Sequence, residues 1–366
     1  MRVLLVAGAR PNFMKIAPIS DVLRAVGEEA ILVHTGQHYD DQMSAAFFRD
    51  LQLREPDFNL GVGSGTHAQQ TARIMEAFEP VLVSTRPDWL VVVGDVNSTL
   101  ACSLVAAKLK DELGCRIAHV EAGLRSGDWR MPEEINRVLT DRLSDLLFTP
   151  SRDALPNLLA EGIPRERIHF AGNVMIDTLL CQLPRARALR LPSRLGLDER
   201  GYAVATLHRP SNVDDGATLG VLLKALDSVA GMVPVVLPIH PRTRASVVRH
   251  DLGGLLQRIH VLEPVGYLEM VALLDDCAVA LTDSGGVQEE TTALGVPCIT
   301  LREGTERPVT IREGTNRLAP WPLTVDGIVT SVREALVEER SPEGGKRPEG
   351  WDGRAAGRIV ERLREE

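Results

Sequence analysis

Residues 278–299 read AVALTDSGGVQEETTALGVPCI, and this stretch decides the fold. The apolar run Ala278–Leu281 stops at Thr282-Asp283-Ser284-Gly285-Gly286. A helical pattern follows, with Val287, Thr291 and Leu294 at i, i+4 and i+7. Gly295 suits a helix C-cap, and Val296 to Thr300 begins the next apolar strand. The spacing predicts strand, loop, helix, strand, a βαβ unit. Its loop offers a hydroxyl and two glycines where the helix begins. Without a Cβ, glycine lets an anion approach the backbone N–H groups, and the helix dipole adds to the pull. Glu289 and Glu290 follow about one turn later, where a carboxylate can accept from ribose hydroxyls. Phosphate plus sugar diol points to a nucleotide; the same spacing also suits an ordinary strand–helix turn.

Working outward, apolar runs alternate with amphipathic segments along the whole chain. Expected strands are Val3–Ala7, Ala30–Thr35, Trp89–Val93, Arg116–Val120, Leu146–Thr149 and Ile168–Phe170. A second series is Tyr202–Thr206, Val233–Ile239, Ile259–Leu262, Ala278–Thr282 and Cys298–Leu301. Such runs lack period-two alternation, as buried parallel strands do. The expected class is α/β, with two Rossmann-like doubly wound domains facing across a cleft. Residues 1–172 form the first and 173–350 the second, with a helix at about 353–366 packing back on the first. Leu183–Gly201, rich in Pro, Arg and Leu, reads as a linker, and Glu339–Trp351 as a loop.

The 366 residues suit two domains, and 44% hydrophobic with 25% charged residues suits a globular protein. A net charge of −9 argues against nucleic acid or an anionic membrane surface as partner. The five cysteines are scattered and mostly in apolar runs, which predicts buried thiols in a reducing, cytoplasmic setting. The N-terminus carries no signal-peptide pattern, and no apolar stretch reaches membrane-spanning length.

Candidate chemistry clusters at expected strand ends. Arg10 and Lys15 follow the first strand and suit phosphate or sugar, or are plain surface cations. Asp95 ends the strand Trp89–Val93 in Gly94-Asp95-Val96-Asn97. Glu121 follows Arg116–Val120, and Pro132-Glu133-Glu134 opens a helix. Glu134 also suits a simple dipole role. Three carboxylates, Asp95, Glu121 and Glu133, converging from separate strand ends repel one another, which raises pKa values and suits acid/base work. His208 and Arg209 end the first strand of the second half, and His240 repeats the theme. There is no Walker A loop, no Rossmann glycine spacing, no HExxH and no CxxC. Neither a dinucleotide cofactor nor a metal is expected.

The motifs GARPNFMKIAPI, HTGQHYDDQMS, VVGDVNSTLA, HVEAGLRSGDWRMPEEINR, TLHRPSNVDD, LPIHPRTR, EPVGYLEM, LTDSGGVQEE and GTERP occur in order. Together they resemble the non-hydrolysing UDP-N-acetylglucosamine 2-epimerase family, over almost the whole chain. The resemblance implies the glycosyltransferase-B architecture, a homodimer, and C2 inversion of a UDP-sugar. The implied route eliminates UDP across C1–C2 to a 2-acetamidoglucal, then adds it back. By resemblance Asp95, Glu121 and Glu133 match the catalytic carboxylates, and His208 the histidine that stabilises the leaving diphosphate. Arg10, Lys15 and Arg307 match ligand contacts, Val265 and Met270 uridine contacts, Ser284, Gly285 and Gly286 the diphosphate loop, and Glu290 the ribose carboxylate.

Two motifs depart from the pattern. Many members read Gly-His-Arg-Arg-Glu where this chain reads Leu207-His208-Arg209-Pro210-Ser211. Many read Gln-His-Arg-Glu-Met where it reads Gln37-His38-Tyr39-Asp40-Asp41-Gln42-Met43. These forms suit a branch resembling enzymes that act on UDP-2,3-diacetamido-glucuronate as well as on UDP-GlcNAc. They also imply a weakened second UDP-GlcNAc site near Gln37, His38 and Arg73, since Tyr39 and Asp40 stand in place of Arg and Glu. A hydrolysing epimerase, a glycosyltransferase of the same fold, and a non-catalytic UDP-sugar-binding regulator are the competing readings. Dialysis against EDTA tests the metal-free route: the rate of UDP-sugar epimerisation should be unchanged, and loss restored only by a divalent ion would overturn it.

Overall fold

A computed structural model describes residues 1–37, 54–337 and 347–366; the Arg10 side chain also lies outside the description. The chain divides into two compact units, Met1–Cys181 with Glu349–Glu366, and Gln182–Pro348.

In the first unit seven parallel strands lie in the order β3-β2-β1-β4-β5-β6-β7. They are β1 (Arg2–Ala7), β2 (Glu29–His34), β3 (Phe58–Asn59), β4 (Trp89–Val93), β5 (Arg116–Val120), β6 (Leu146–Thr149) and β7 (Ile168–Phe170). Val91 of β4 lies beside Leu5 of β1 on one side and Ala118 of β5 on the other. All five residues of β4 are buried, as expected for a strand covered on both faces. One face packs Leu4, Val6, Leu90, Val92 and Ile117 against Ile74, Phe78, Cys102 and Val105 of the helices His67–Thr85 and Asn97–Lys108.

The second unit repeats the plan with six parallel strands in the order β10-β9-β8-β11-β12-β13. These are β8 (Ala203–Thr206), β9 (Val235–Pro238), β10 (His260–Leu262), β11 (Val279–Thr282), β12 (Cys298–Thr300) and β13 (Asn316–Leu318). Alternate residues serve opposite faces: Ala203 and Ala205 join the cluster around Leu219, Leu222 and Leu226, while Tyr202 and Val204 join Leu273, Leu274 and Cys298. Both sheets are of the doubly wound α/β kind, with the strand order reversing between β1 and β4 and between β8 and β11.

Several expected boundaries move. The division falls inside the helix Val174–Ala188 rather than at 172, because that helix runs on through Pro184. The expected linker Leu183–Gly201 is largely helical, adding the turn Leu191–Arg194, and Leu191, Leu195 and Leu197 pack into the second core. The strands β3 and β13 were not expected; one has two residues and the other three, too few to show a period. Four cysteines are buried and Cys181 is exposed. Burial pushes the thiols of Cys115 and Cys298 up to about 12. Among the described residues no helix is long and apolar enough to cross a membrane.

The end of the chain completes the first unit. The helix Ala355–Glu365 begins where the Asp177 carboxylate accepts from Ala355 N at 3.1 Å and Ala356 N at 2.7 Å. Trp89 Nε1 donates to Leu363 O at 3.1 Å, and Trp351 Nε1 to Pro150 O at 3.0 Å. Gly172, at φ +89°, lies so close to Gly350 that an added Cβ would sit 2.1 Å from its carbonyl oxygen. Gly172→Ala should therefore lower stability by at least ~1–3 kcal/mol, since it adds left-handed strain to a clash. A urea midpoint equal to wild type would refute this.

Candidate functional site

Most of the candidate side chains sit at or just beyond the carboxyl ends of strands, on the exit loops or in the first turns of the helices that follow. That is where open α/β sheets bind ligands.

In the first unit the chain leaves β1 through Gly8 and Ala9 into the helix Arg10–Ala25. Asn12 secures this turn. Its Oδ1 accepts from Gly8 N at 3.1 Å and Ala9 N at 2.9 Å, and its Nδ2 donates to Val93 O at 3.1 Å. One turn on, Lys15 is buried and its Nζ donates to the Glu121 carboxylate. Glu121 is itself buried and has φ +72°, a left-handed conformation that costs a non-glycine residue on the order of 1–3 kcal/mol. Lys15 thus neutralises a carboxylate at the tip of β5.

Asp95, half-buried beyond the end of β4, is held from the helix Pro132–Leu143. Asn136 Nδ2 donates to its carbonyl at 2.9 Å, and Arg137 Nε donates to its carboxylate at 2.9 Å. Arg137 Nη1 also donates to Glu134 at 2.7 Å. Glu134 is buried and accepts from Ser126 N and Gly127 N. Burial alone would raise its pKa, but these N–H groups and Arg137 outweigh it and hold Glu134 below the usual range.

The expected crowding of uncompensated carboxylates is therefore corrected: Glu121 is paired with Lys15, and Asp95 shares Arg137 with Glu134. Glu133, in the first turn of the helix Pro132–Leu143, is half-buried, and its side chain takes no hydrogen bond or ion pair among the described residues. Its neighbour Glu134 is the structural one, closing a turn over Ser126 and Gly127.

In the second unit His208 follows β8. Its Nδ1 lies 2.8 Å from Oδ1 of Asp283, a fully buried carboxylate at the tip of neighbouring β11. Asp283 also accepts from His208 N, Arg209 N and Asn212 Nδ2. Burial would raise its pKa, but His208 and these N–H groups bring it below the ordinary value. With the proton fixed on Nδ1, Nε2 is the nitrogen left for a ligand.

Ser284 stands at the N-cap of the helix Gly285–Leu294, Gly285 and Gly286 are its first two residues, and all three are partly exposed. The N–H groups of this first turn lack intrahelical acceptors. Gly295 closes the helix at φ +70°, as the sequence predicts. Glu306 lies over this turn, its Oε1 3.0 Å from where a Gly285 Cβ would stand. Burial works against its charge, but Arg307, Arg302 and Arg209 outweigh that and bring its pKa to about 2.

Glu290 is buried within the same helix. Burial, and then the charge of Glu289, push its pKa up to about 8, against a hydrogen bond from the Tyr267 hydroxyl. Arg307 Nε lies 2.8 Å from Glu289 Oε1, so this expected ligand contact is engaged with a neighbouring carboxylate. Val265 and Met270, both half-buried, bracket the start of the helix Tyr267–Asp275.

A sequence model of the family described as UDP-N-acetylglucosamine 2-epimerase matches residues 22–364. The chain belongs to the UDP-N-acetylglucosamine 2-epimerase family. It is 42% identical over 370 residues, 99% of each chain, to a UDP-2,3-diacetamido-2,3-dideoxy-D-glucuronate 2-epimerase of Pseudomonas aeruginosa. It resembles the crystal structure of the Methanocaldococcus jannaschii UDP-GlcNAc 2-epimerase in complex with UDP-GlcNAc and UDP, with TM-score 0.89, 40% identity and full coverage of both chains. The Neisseria meningitidis UDP-GlcNAc 2-epimerase bound to UDP-GlcNAc gives TM-score 0.86 at 29% identity, again over both whole chains. The enzyme is thus an isomerase of the glycosyltransferase-B fold class.

Of the residues expected at a second nucleotide-sugar site, His38 to Met43 lie outside the described residues. Gln37 is buried; its Oε1 accepts from Ser98 N at 3.1 Å and Ser98 Oγ at 2.8 Å, anchoring the start of the helix Asn97–Lys108. Arg73 Nη1 donates to Val62 O at 3.3 Å. Asn12, Arg137, Asp283 and Glu306 were missed as site residues. Arg137, three residues after Glu134 on an expected helix, and Asp283, beside Ser284, carried usable signals.

Glu290 gives a stability signature. Its pKa in the folded enzyme, about 8, lies above the ordinary 4.5, so the folded state binds the extra proton between these values. Its contribution is fully present below about pH 4.5 and is lost as pH rises through about 8, at up to ~1.4 kcal/mol per pH unit. Urea unfolding of ligand-free enzyme from pH 5 to 8 should show this fall, and Glu290→Gln should flatten it. An unchanged pH slope in the variant would contradict the assignment.

Proposed function

We propose that this enzyme interconverts UDP-GlcNAc and its C2 epimer by elimination and re-addition of UDP. The observation that carries the reading is the pair of carboxylates, Asp95 and Glu121, at the adjacent tips of β4 and β5, each set beside a cation. The C2 proton is not next to a ketone, so simple enolisation is closed. Elimination breaks C2–H and C1–O, forms C1=C2, passes the proton to a carboxylate, and releases UDP. Return of UDP with a proton on the other face completes the inversion. Asp95, Glu121 and Glu133 are assigned to the proton transfers. His208, held by Asp283 on Nδ1, faces the departing diphosphate with Nε2. Arg10 and Lys15 support the sugar-diphosphate. Ser284 with the N–H groups of Gly285 and Gly286 takes the diphosphate, Glu290 the ribose, and Val265, Met270 and Arg307 the remaining UDP contacts.

UDP-2,3-diacetamido-glucuronate is the second reading. It is favoured by 42% identity to the Pseudomonas aeruginosa 2-epimerase of that sugar and by the variant sequence around His208. We also infer a cytoplasmic homodimer, supported by the four buried thiols and by the family's habit.

Proton NMR in D2O with each UDP-sugar tests the reading. Epimerisation with deuterium at C2 and intact UDP is expected; free UDP with free sugar would mean hydrolysis, and no change with either would sink it. Asp95→Asn, Glu121→Gln and Glu133→Gln should each cut turnover about 10²-fold or more. Normal turnover in any one removes that residue from the chemistry.

A further inference from the structure

His119 and Asp141 are both fully buried, and neither has a part in the chemistry above. His119 Nε2 lies 2.8 Å from Gly94 O, and Nδ1 lies 2.6 Å from Asp141 Oδ1. A carbonyl oxygen only accepts, so Nε2 carries a proton. The other oxygen, Asp141 Oδ2, accepts from Gly123 N at 3.1 Å and from Arg125 Nη2 at 2.7 Å. Arg125 also bonds Glu161, and these two carboxylates raise its pKa despite burial.

The placement of these bonds is specific. Gly94 immediately precedes Asp95. Its N–H is held by Val120 O at 3.1 Å and its C=O by the His119 ring, so both polar groups of this residue are fixed from β5. Glu121 lies between His119 and Gly123, the two points where Asp141 grips the β5 tip. Its left-handed backbone persists only if the surroundings over-determine it; Phe148 O accepts from Glu121 N and Ala122 N, both at 3.1 Å, and the clamp holds the residues on either side. Asp141 also lies one turn beyond Arg137, the residue that holds the Asp95 carboxylate, on the same helix.

We propose that His119 and Asp141 are a positioning pair that sets the mutual placement of Asp95 and Glu121. Neither touches substrate. The pair fixes the two backbone turns from which these carboxylates project, and one helix thereby indexes both strand tips. The proposal rests on the reading of Asp95 and Glu121 given above.

The test uses the full-length enzyme, with turnover expressed per UDP-binding site counted by calorimetry. Most of the assigned UDP contacts lie on the second unit, which these variants do not touch. In His119→Asn the amide reaches Asp141 in place of Nδ1 but not Gly94. In Asp141→Asn the grip on the β5 tip is weakened. Each should lower kcat per site about ten- to a hundred-fold, the scale of small misplacements of reacting groups, with KM and the Kd for UDP within about two-fold. His119→Gln, whose amide reaches Gly94 in place of Nε2, should recover part of the loss. Normal kcat per site in His119→Asn and Asp141→Asn overturns the proposal, as does a loss of turnover matched by loss of UDP sites. If the buried variants do not fold, Arg125→Gln at the rim decides: a several-fold fall in kcat per site supports the pair, and no change overturns it. Asp95→Asn and Glu121→Gln run alongside. If they retain turnover, the parent reading fails; if they lose it while His119→Asn does not, only the positioning role fails.

Discussion

Where strand order reverses in a parallel sheet, the chain exits two neighbouring strands in diverging directions, and the backbone N–H groups at the tips lose their sheet partners. Both units meet this constraint with a short polar side chain. Asn12 accepts from Gly8 N and Ala9 N after β1, and Asp283 accepts from His208 N and Arg209 N after β8. Each thereby welds two strand ends together, Asn12 through Val93 O of β4 and Asp283 by standing at the end of β11. The choice of side chain differs with the task. The neutral amide leaves the β1 exit uncharged beside Lys15. The carboxylate adds a negative charge under His208, which orients its ring.

Charge balance then determines what each unit is suited to do. In the first, the tips of β4 and β5 carry acids paired with Arg137, which Asp95 shares with Glu134, and with Lys15. Buried charges tolerate this only when paired, and removing one partner leaves the other exposed to the full cost of desolvation. In the second, the arginines Arg209, Arg302 and Arg307 gather around Glu306 and Glu289 beside a helix N-terminus. Acids able to move protons and a cation-rich loop able to hold a diphosphate are thus housed on separate sheets.

Much of this was legible in the sequence because it is written in runs. Ala278 to Thr300 announced strand, turn, helix and strand, and the structure places Gly295 at the left-handed cap that the pattern required. Asp95, Glu121 and His208 were visible as polar residues ending apolar runs. What escaped was pairing between elements. Nothing in the spacing of Lys15 and Glu121, 106 residues apart, says that they touch. The neighbours Glu133 and Glu134 look alike in sequence, and only the turn at Ser126 and Gly127 separates a held carboxylate from its unheld neighbour. The supposed linker misled for a related reason: Pro and Arg are common in loops, yet Leu191, Leu195 and Leu197 had a core to fill.

The closing helix has a consequence for how the molecule is made. The ribosome delivers the first 181 residues early, but Trp89 waits for Leu363, Asp177 for Ala355, and Pro150 for Trp351. The second unit is contiguous from Gln182 to Pro348 and can finish its sheet while the first still lacks its last piece. Order of synthesis and order of completion are therefore reversed: the unit begun first is the one finished last.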